Sequence, residues 1–415
     1  MFRKRASRPR RLESLEDRAL MAGDINFANG IISLTGDNYV DTAEARFEGD
    51  RVFITLLSKN ANGSTDQDQF NRQIQGVVGI EFDARNGDDT MNVVVNALNA
   101  GVDISPITIQ FYGSNGNDTF KNATNAAIKS NAHGDAGDDV LSGGGGDDYL
   151  SGGADNDVYK FIDGTYHLGT DSISDYGGSD TLDFSQLNHS VTVDLAIQNT
   201  QVAASGTLLL TLGTLEIENV IGSNFQDTIR GNSLANRLVG MGDWDTLEGR
   251  GGNDLLEGNS GADTYVFKTD QGLLGLDSIL EGSDNFFDTL DFRGFAQGVN
   301  VDLAKSGNNL AVDNGYLKLR LLTAQTVENV FGSDFADEIL GNDRVNTLRG
   351  GNGSDIINGR GGADWLYGDG GNDALFSDLA DQVYGGTGSD RFDGILETFV
   401  RTKKTPARYR DWGTF

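Results

Sequence analysis

Read in nines, Gly222 to Val266 is GSNFQDTIR, GNSLANRLV, GMGDWDTLE, GRGGNDLLE, GNSGADTYV. Every nine opens on Gly. The sixth place holds Asp227, Asn236, Asp245, Asp254 and Asp263, and the eighth holds Ile229, Leu238, Leu247, Leu256 and Tyr265. A period of nine is not commensurate with one helical face, and the glycines would destabilise a helix. The period suits a solenoid: a tight loop, a three-residue strand, a second loop, a second strand, then the next turn. The eighth residue is then the centre of the strand and points inward.

The pattern recurs on both sides. Residues 134–160 read GDAGDDVLS, GGGGDDYLS, GGADNDVYK, with Asp139, Asp148 and Asp157 in the sixth places. Residues 332–376 read GSDFADEIL, GNDRVNTLR, GGNGSDIIN, GRGGADWLY, GDGGNDALF, with Asp337, Asn346, Asp355, Asp364 and Asp373. A further turn, GGTGSDRFD, places Asp390. Two looser copies lie upstream: ARNGDDTMN with Asp89 and Met91, and GSNGNDTFK with Asp118 and Phe120. A low-complexity Gly/Asp linker would keep no rule at the eighth place. A metal-free solenoid with Asp as a turn former is the other alternative.

Glycine lets the backbone turn its carbonyls to one side, and the sixth-place Asp adds a charged oxygen. Ca²⁺ takes six to eight oxygens at about 2.3–2.6 Å, so carbonyls with carboxylates suit it. One loop is too small to supply them, but two loops stacked a full turn apart can. A full turn is two repeats. The pairs predicted are Asp227 with Asp245, Asp245 with Asp263, and Asn236 with Asp254, the Asn site being the weaker for its missing charge. All sixteen sixth-place residues named above, from Asp89 to Asp390, are the candidate metal ligands.

Composition points the same way. The chain has 415 residues, Lys+Arg 32 against Asp+Glu 62, and a net charge of −30. Such a chain repels itself when compact. Stacked Asp loops therefore call for cations between them, and the repeat blocks are expected to be largely unfolded without metal and to fold as metal binds. Nucleic acid is excluded as a natural partner for so acidic a surface. Gly 57 with Pro 3 and no G-X-Y period excludes collagen. Cysteine is absent, which removes disulfides, thiolate metal sites and Cys nucleophiles. No apolar run of membrane-spanning length exists, so membrane insertion is not expected.

The expected organisation runs as follows. Residues 1–22 form a basic N-terminus whose apolar run Ala19-Leu20-Met21-Ala22 is short for a secretory signal. Residues 23–130 read as irregular β, a degenerate solenoid or small sandwich. Roll blocks follow at 131–160, 222–266 and 332–393, separated by spacers at 161–221 and 267–331, and 394–415 is a basic tail. The spacers are copies: Asp171-Ser172-Ile173 matches Asp277-Ser278-Ile279, and Thr181-Leu182-Asp183-Phe184 matches Thr289-Leu290-Asp291-Phe292. Val193-Asp194-Leu195 likewise matches Val301-Asp302-Leu303, and Glu218-Asn219-Val220 matches Glu328-Asn329-Val330. Spacer plus roll is thus duplicated at a period of about 108 residues.

These motifs resemble the RTX, or haemolysin-type calcium-binding, repeat. The spacers with their rolls resemble the C-terminal region of serralysin-type proteases and other type I-secreted proteins, over roughly residues 134–393. The resemblance implies an all-β fold: Ca²⁺-loaded parallel β-roll blocks alternating with antiparallel β spacers. Arg11 to Leu20, RLESLEDRAL, resembles the start of many exported proteins of planctomycete-type bacteria, which implies export. The basic tail, with Arg401, Lys403, Lys404, Arg408 and Arg410, departs from the usual signal of type I-secreted relatives.

No catalytic constellation is legible. The histidines His133, His167 and His189 do not pair as an H-E-x-x-H zinc site, and no nucleophile elbow is present. Paired acids such as Asp138-Asp139 recur with the nonapeptide, which marks them as loop acids. The expectation is a non-enzymatic, extracellular or cell-surface protein that binds several Ca²⁺ ions and acts structurally or adhesively, with a cell-surface polymer or extracellular matrix as partner. The alternative is a secreted hydrolase or polysaccharide-modifying enzyme with its activity in residues 24–130.

Overall fold

The computed structural model describes residues 24–394 apart from 60–63, 124–126, 163–167, 205–206, 270–271 and 283. The basic N-terminus, the basic tail and His167 lie outside the described residues. The described residues form strands, turns and bends with no helix.

The strands stack into parallel ladders on two faces of one apolar interior; a later ladder, from Thr192–Asp194 through Thr228–Arg230 and Thr246–Glu248 to Thr264–Lys268 and beyond, follows the first two. The first runs through Ile31–Thr35, Gly79–Asp83, Thr108–Asn115, Lys129–Ala136, Tyr149–Ala154, Gly169–Ser174 and Leu208–Leu212, each parallel to the next. The second starts at Asp41–Gly49 and passes through Thr90–Leu98, Thr119–Asn122, Val140–Ser142, Val158–Ile162, Asp180–Gln186, Ile217–Ile221, Arg237–Gly242 and Leu255–Ser260 to Gly275–Ile279. Eighth-place residues meet in register along these ladders. Leu238 pairs with Leu256 and then Ile279, while Ile229 pairs with Leu247 and then Tyr265. Each of these is 0–1% exposed. The inward rule read from the nonapeptide therefore sets the core, and burying one large side chain per half-turn contributes about 1.5–3 kcal/mol each.

Residues 24–130 are the first coils of the same roll. Met91 and Phe120 sit in the second ladder exactly as Leu141 does, and all three are fully buried. The start of the roll is covered by antiparallel strands. Asp24–Ala28 lies on Ile31–Thr35, and Arg51–Lys59 with Thr65–Gln73 lies on Asp41–Gly49. Antiparallel covering of this kind closes an edge that would otherwise offer unpaired amides.

Each spacer holds antiparallel pairs, as the resemblance implies, and the parallel roll also runs through it. In the first spacer, Leu208–Leu212 ends the first ladder and pairs antiparallel with Gln201–Ala204. An antiparallel bridge from Ala204 to Val191 follows, and Thr192–Asp194 opens a new parallel run at Thr228–Arg230. The second spacer repeats the device: Leu317–Leu321, Leu310–Asp313, Asn300–Asp302, then Glu338–Leu340. The two insertions lie on opposite faces. Gly169–Ser174 belongs to the first ladder, whereas its copy Gly275–Ile279 belongs to the second. The duplicated unit therefore contains an odd number of half-turns.

Candidate metal centre

The sixth-place carboxylates form lines along the edges of the roll. Each accepts, on Oδ1, the backbone N–H of the equivalent residue one turn earlier. Asp89 donates to Asp118 at 2.7 Å, Asp118 to Asp139 at 2.7 Å, and Asp139 to Asp157 at 2.8 Å. Asp227 donates to Asp245 and Asp245 to Asp263, both at 2.8 Å and eighteen residues apart. Asn236 donates to Asp254, and Asn346 to Asp364, each at 2.8 Å. Asp337, Asp355, Asp373 and Asp390 make one further line, at 2.9, 3.0 and 3.2 Å. The stacked pairs read from the sequence are thus brought together. Asp148 stands on a separate line between the N–H of Ser130 and Asp171.

The lines are longer than the nonapeptides. Asp41 precedes Asp89, Asp180 follows Asp157, and Glu218 follows Asp180. Asp277 follows Asp254, Asp288 follows Asp263, Glu328 follows Asp288, and Asp381 follows Asp364. The sequence reading missed these eight acids, Asp171 included. The signal was an acid two places before an inward apolar residue, as in Asp171-Ser172-Ile173, Asp180-Thr181-Leu182 and Glu218-Asn219-Val220. The repeat keeps this core through the spacers and part of its glycine pattern, with Gly169, Gly178 and Gly275 in the fourth place before Asp171, Asp180 and Asp277.

The second carboxylate oxygen separates the sixth places into two kinds. In Asp89, Asp118, Asp139, Asp148, Asp157, Asp245, Asp254, Asp263, Asp355, Asp364 and Asp373, Oδ2 is buried with no hydrogen-bond partner. A buried unpaired carboxylate oxygen is costly, and a cation is the usual remedy. In Asp227 and Asp337 the same oxygen accepts the N–H of Ser223 at 2.6 Å and of Ser333 at 2.7 Å. Asn236 and Asn346 accept from Asn232 and Asn342 at 2.8 Å and donate to the carbonyls of Glu218 and Glu328 at 3.0 Å. These four side chains are satisfied by the protein itself. Asn236, expected to make the weaker site, and Asn346 each spend the amide nitrogen on a backbone carbonyl one turn earlier.

The first-place glycine has a direct steric reason. A Cβ on Gly134 would run into the carboxylate of Asp139 and lie 2.8 Å from the carbonyl oxygen of Gly152. On Gly222 it would meet the carboxylate of Asp227 and the carbonyl of Gly240 at 2.8 Å. Carboxylate and next-turn carbonyl thus converge on one strip of each loop, a hard-oxygen set of the kind calcium takes. The fourth-place glycine turns the loop, with φ of 120° at Gly137 and 129° at Gly252.

Burial governs the electrostatics. It pushes Asp89, Asp157 and Asp245 up to about 8, and Asp139, Asp254, Asp355 and Asp364 up to about 7. Neighbouring carboxylates add to the rise at Asp89, Asp157 and Asp245. Without a cation these groups hold protons near neutrality or repel one another.

Compared with known families, residues 131–159, 239–267, 340–375 and 377–394 match the RTX calcium-binding nonapeptide repeat, in four copies. The chain carries RTX repeats. No curated protein matches it. RTX nonapeptides bind several calcium ions in a parallel β-roll, and this chain is a calcium-binding β-roll of that type. The RTX matches cover Asp139 to Asp157, Asp245 to Asp263 and Asp355 to Asp373, whose Oδ2 atoms lack partners; Asp89 and Asp118, which share that feature, lie outside them. The matches also leave out the Ser-capped turns at Asp227 and Asp337.

The remaining sequence candidates are not drawn into the site. His133 lies on a strand and stacks on Tyr112 with ring centroids 5.5 Å apart, and His189 bonds the hydroxyl of Thr207 at 2.7 Å.

Proposed function

We propose that this chain is exported, sets into its roll when it meets calcium outside the cytoplasm, and serves there as a structural or adhesive element on a cell-surface polymer or extracellular matrix. The observation that carries the reading is the row of buried, partnerless carboxylate oxygens. It makes the folded state depend on a cation that is scarce in cytoplasm and abundant outside. RTX repeats are typical of secreted proteins, which supports export. Extracellular calcium modules work at Kd of about 10⁻⁴–10⁻³ M, so external calcium loads them and cytosolic calcium does not. The coils of residues 24–130 carry the same line of acids, which favours a scaffold throughout over an enzyme with a stabilising tail.

The test is far-UV circular dichroism during a Ca²⁺ titration, with Mg²⁺ as control. A coil-to-β transition driven by Ca²⁺ alone is expected. Full β structure in chelator, unchanged by Ca²⁺, would overturn the reading. Export is checked by protease treatment of intact producing cells, which should degrade the chain if it is on the surface.

A further inference from the structure

Where the first roll block enters its spacer, Asp157, Asp175 and Asp180 bring one carboxylate oxygen each to within 4.8 Å of one another. Where the second block enters its spacer, Asp263, Glu281 and Asp288 do the same. The six residues are 0–4% exposed. One oxygen of Asp157, of Asp180 and of Asp263 has no hydrogen-bond partner. Among the described residues, no lysine or arginine makes an ion pair with any of the six.

A buried tyrosine backs each triad. The Tyr159 hydroxyl donates to Asp175 Oδ2 at 2.6 Å and accepts the N–H of Gly152 at 2.7 Å. The Tyr265 hydroxyl donates to Glu281 and accepts the N–H of Gly258 at 2.9 Å. The phenol fixes the direction of one carboxylate and neutralises none of the three charges. Three buried carboxylates this close need positive charge between them. Oxygens of one calcium shell lie up to about 5 Å apart, given bonds of about 2.3–2.6 Å, so each triad can close on a single ion.

We propose that each triad is a cation site in which a third acid, Asp175 or Glu281, is added to a stacked pair, Asp157 with Asp180 or Asp263 with Asp288, so that it takes a hard cation of calcium's size more tightly than the other loop gaps, fills before them, and joins its spacer to its roll block. This rests on the calcium reading above. The ranking follows from ligand charge and rigidity. A gap between stacked loops faces two sixth-place carboxylates, whereas each triad brings three. The triads are also held by the tyrosines, and such outer partners are worth about 10–100-fold in metal affinity.

The full chain is titrated with terbium(III), a luminescent hard cation, with excitation at tyrosine and Ca²⁺ as competitor. The expected result is an early phase of two ions, one for each triad, followed by the loops. Asp175→Asn and Glu281→Gln each remove about half of the early phase and leave the later one. Tyr159→Phe weakens its site about tenfold. Asp148→Asn, on another line, changes only the later phase. An early phase unaltered in the triad variants, or equally lost in Asp148→Asn, would overturn the proposal while leaving loop binding intact. No uptake of either ion would overturn the calcium reading itself. Circular dichroism in saturating Ca²⁺ guards against a folding artefact: both triad variants should reach the β content of the parent. A coil spectrum in both at saturation would mark these acids as needed for the fold itself and would also sink the proposal.

Discussion

At the residue scale, the two oxygens of one carboxylate do different work. Oδ1 of Asp245 accepts from Asp227, and its N–H donates to Asp263, so it belongs to two turns at once. Its Oδ2 has no partner. Asp245→Asn should therefore lower the number of bound calcium ions measured by isothermal titration. Asp227→Asn should barely change that number, because Ser223 already occupies the corresponding oxygen. Equal losses in the two variants would contradict the division into self-satisfied and cation-dependent turns. The sequence made both residues look alike, since the second place varies widely among the repeats and carries serine at Ser114 as well as at Ser223 and Ser333, and only the geometry of the loop tells which oxygen it reaches.

Protons compete for the same oxygens. Burial raises Asp89, Asp157 and Asp245 to about 8 from an unfolded value near 3.8. A raised folded pKa contributes stability that is fully present below the unfolded value and is lost as pH climbs through the folded one. In chelator the roll should melt highest at about pH 4 and lose its structure towards about pH 8, where the calcium-free chain is coil. Calcium displaces those protons, so the gain in melting temperature on adding it should grow over the same interval. Thermal melts across this range, with and without Ca²⁺, check both trends. A chelated chain more stable at pH 8 than at pH 5 would show that the acids are not held as buried groups.

At the scale of the element, the spacer hairpins are tied to the rolls by one arginine each. Arg250 donates to both oxygens of Asp194, at 2.6 and 2.7 Å, and to the carbonyl of Gly231 at 2.9 Å. Its counterpart Arg360 donates to Asp302 at 2.6 Å and to the carbonyl of Gly341 at 2.8 Å. The Arg250 and Asp194 side chains are 14% and 11% exposed. Removing one member of a buried pair leaves the other charge uncompensated and costs about 3–5 kcal/mol. Arg250→Ala should therefore destabilise the calcium-loaded chain by several degrees in a thermal melt. Replacing Arg250 and Asp194 together by apolar residues of similar size should restore much of the loss. If the double variant is as unstable as the single, the pair is not acting through its charges.

The spacers were also where the sequence said least about shape. Val191, Val193 and Leu195, and likewise Leu208, Leu210 and Leu212, stand at every second place, and all six are buried as such alternation demands. Pairing direction is another matter. A strand buried on one face reads the same whether its neighbour runs parallel or antiparallel, so Leu208–Leu212, parallel to one neighbour and antiparallel to the other, was not legible.

For the molecule as a whole, contact passes from each coil to the next. Stability in such a solenoid is a sum of coil and interface terms, and loss at one coil loosens its neighbours first. Gly134→Ala puts a methyl against Asp139 and the Gly152 carbonyl inside the first roll block. Overpacking of this kind costs about 1–3 kcal/mol. Hydrogen exchange on the calcium-loaded variant should show protection lost between Thr108 and Ile173 and kept beyond Thr228. Uniform loss along the chain would mean one cooperative unit. The nine-residue period made the interior of the rolls readable from the sequence, because the eighth place never fails. Residues 24–130 were harder: Asp41-Thr42-Ala43 has the acid, the small inward residue and the first-place glycine, Gly36, but Tyr39 where the fourth-place glycine would turn the loop. How the two copies sit in space was not legible at all, since a parity of half-turns is a property of the winding and not of any residue.

That parity has a mechanical consequence. Each hairpin lip interrupts one side of the rod, and the second lip falls on the side opposite the first. Two similar projections facing away from each other make the roll two-sided rather than one-sided. A partner that held one lip would leave the other free to take a second partner from the far side, and a load drawn between the two would cross the calcium-bearing coils that lie between them.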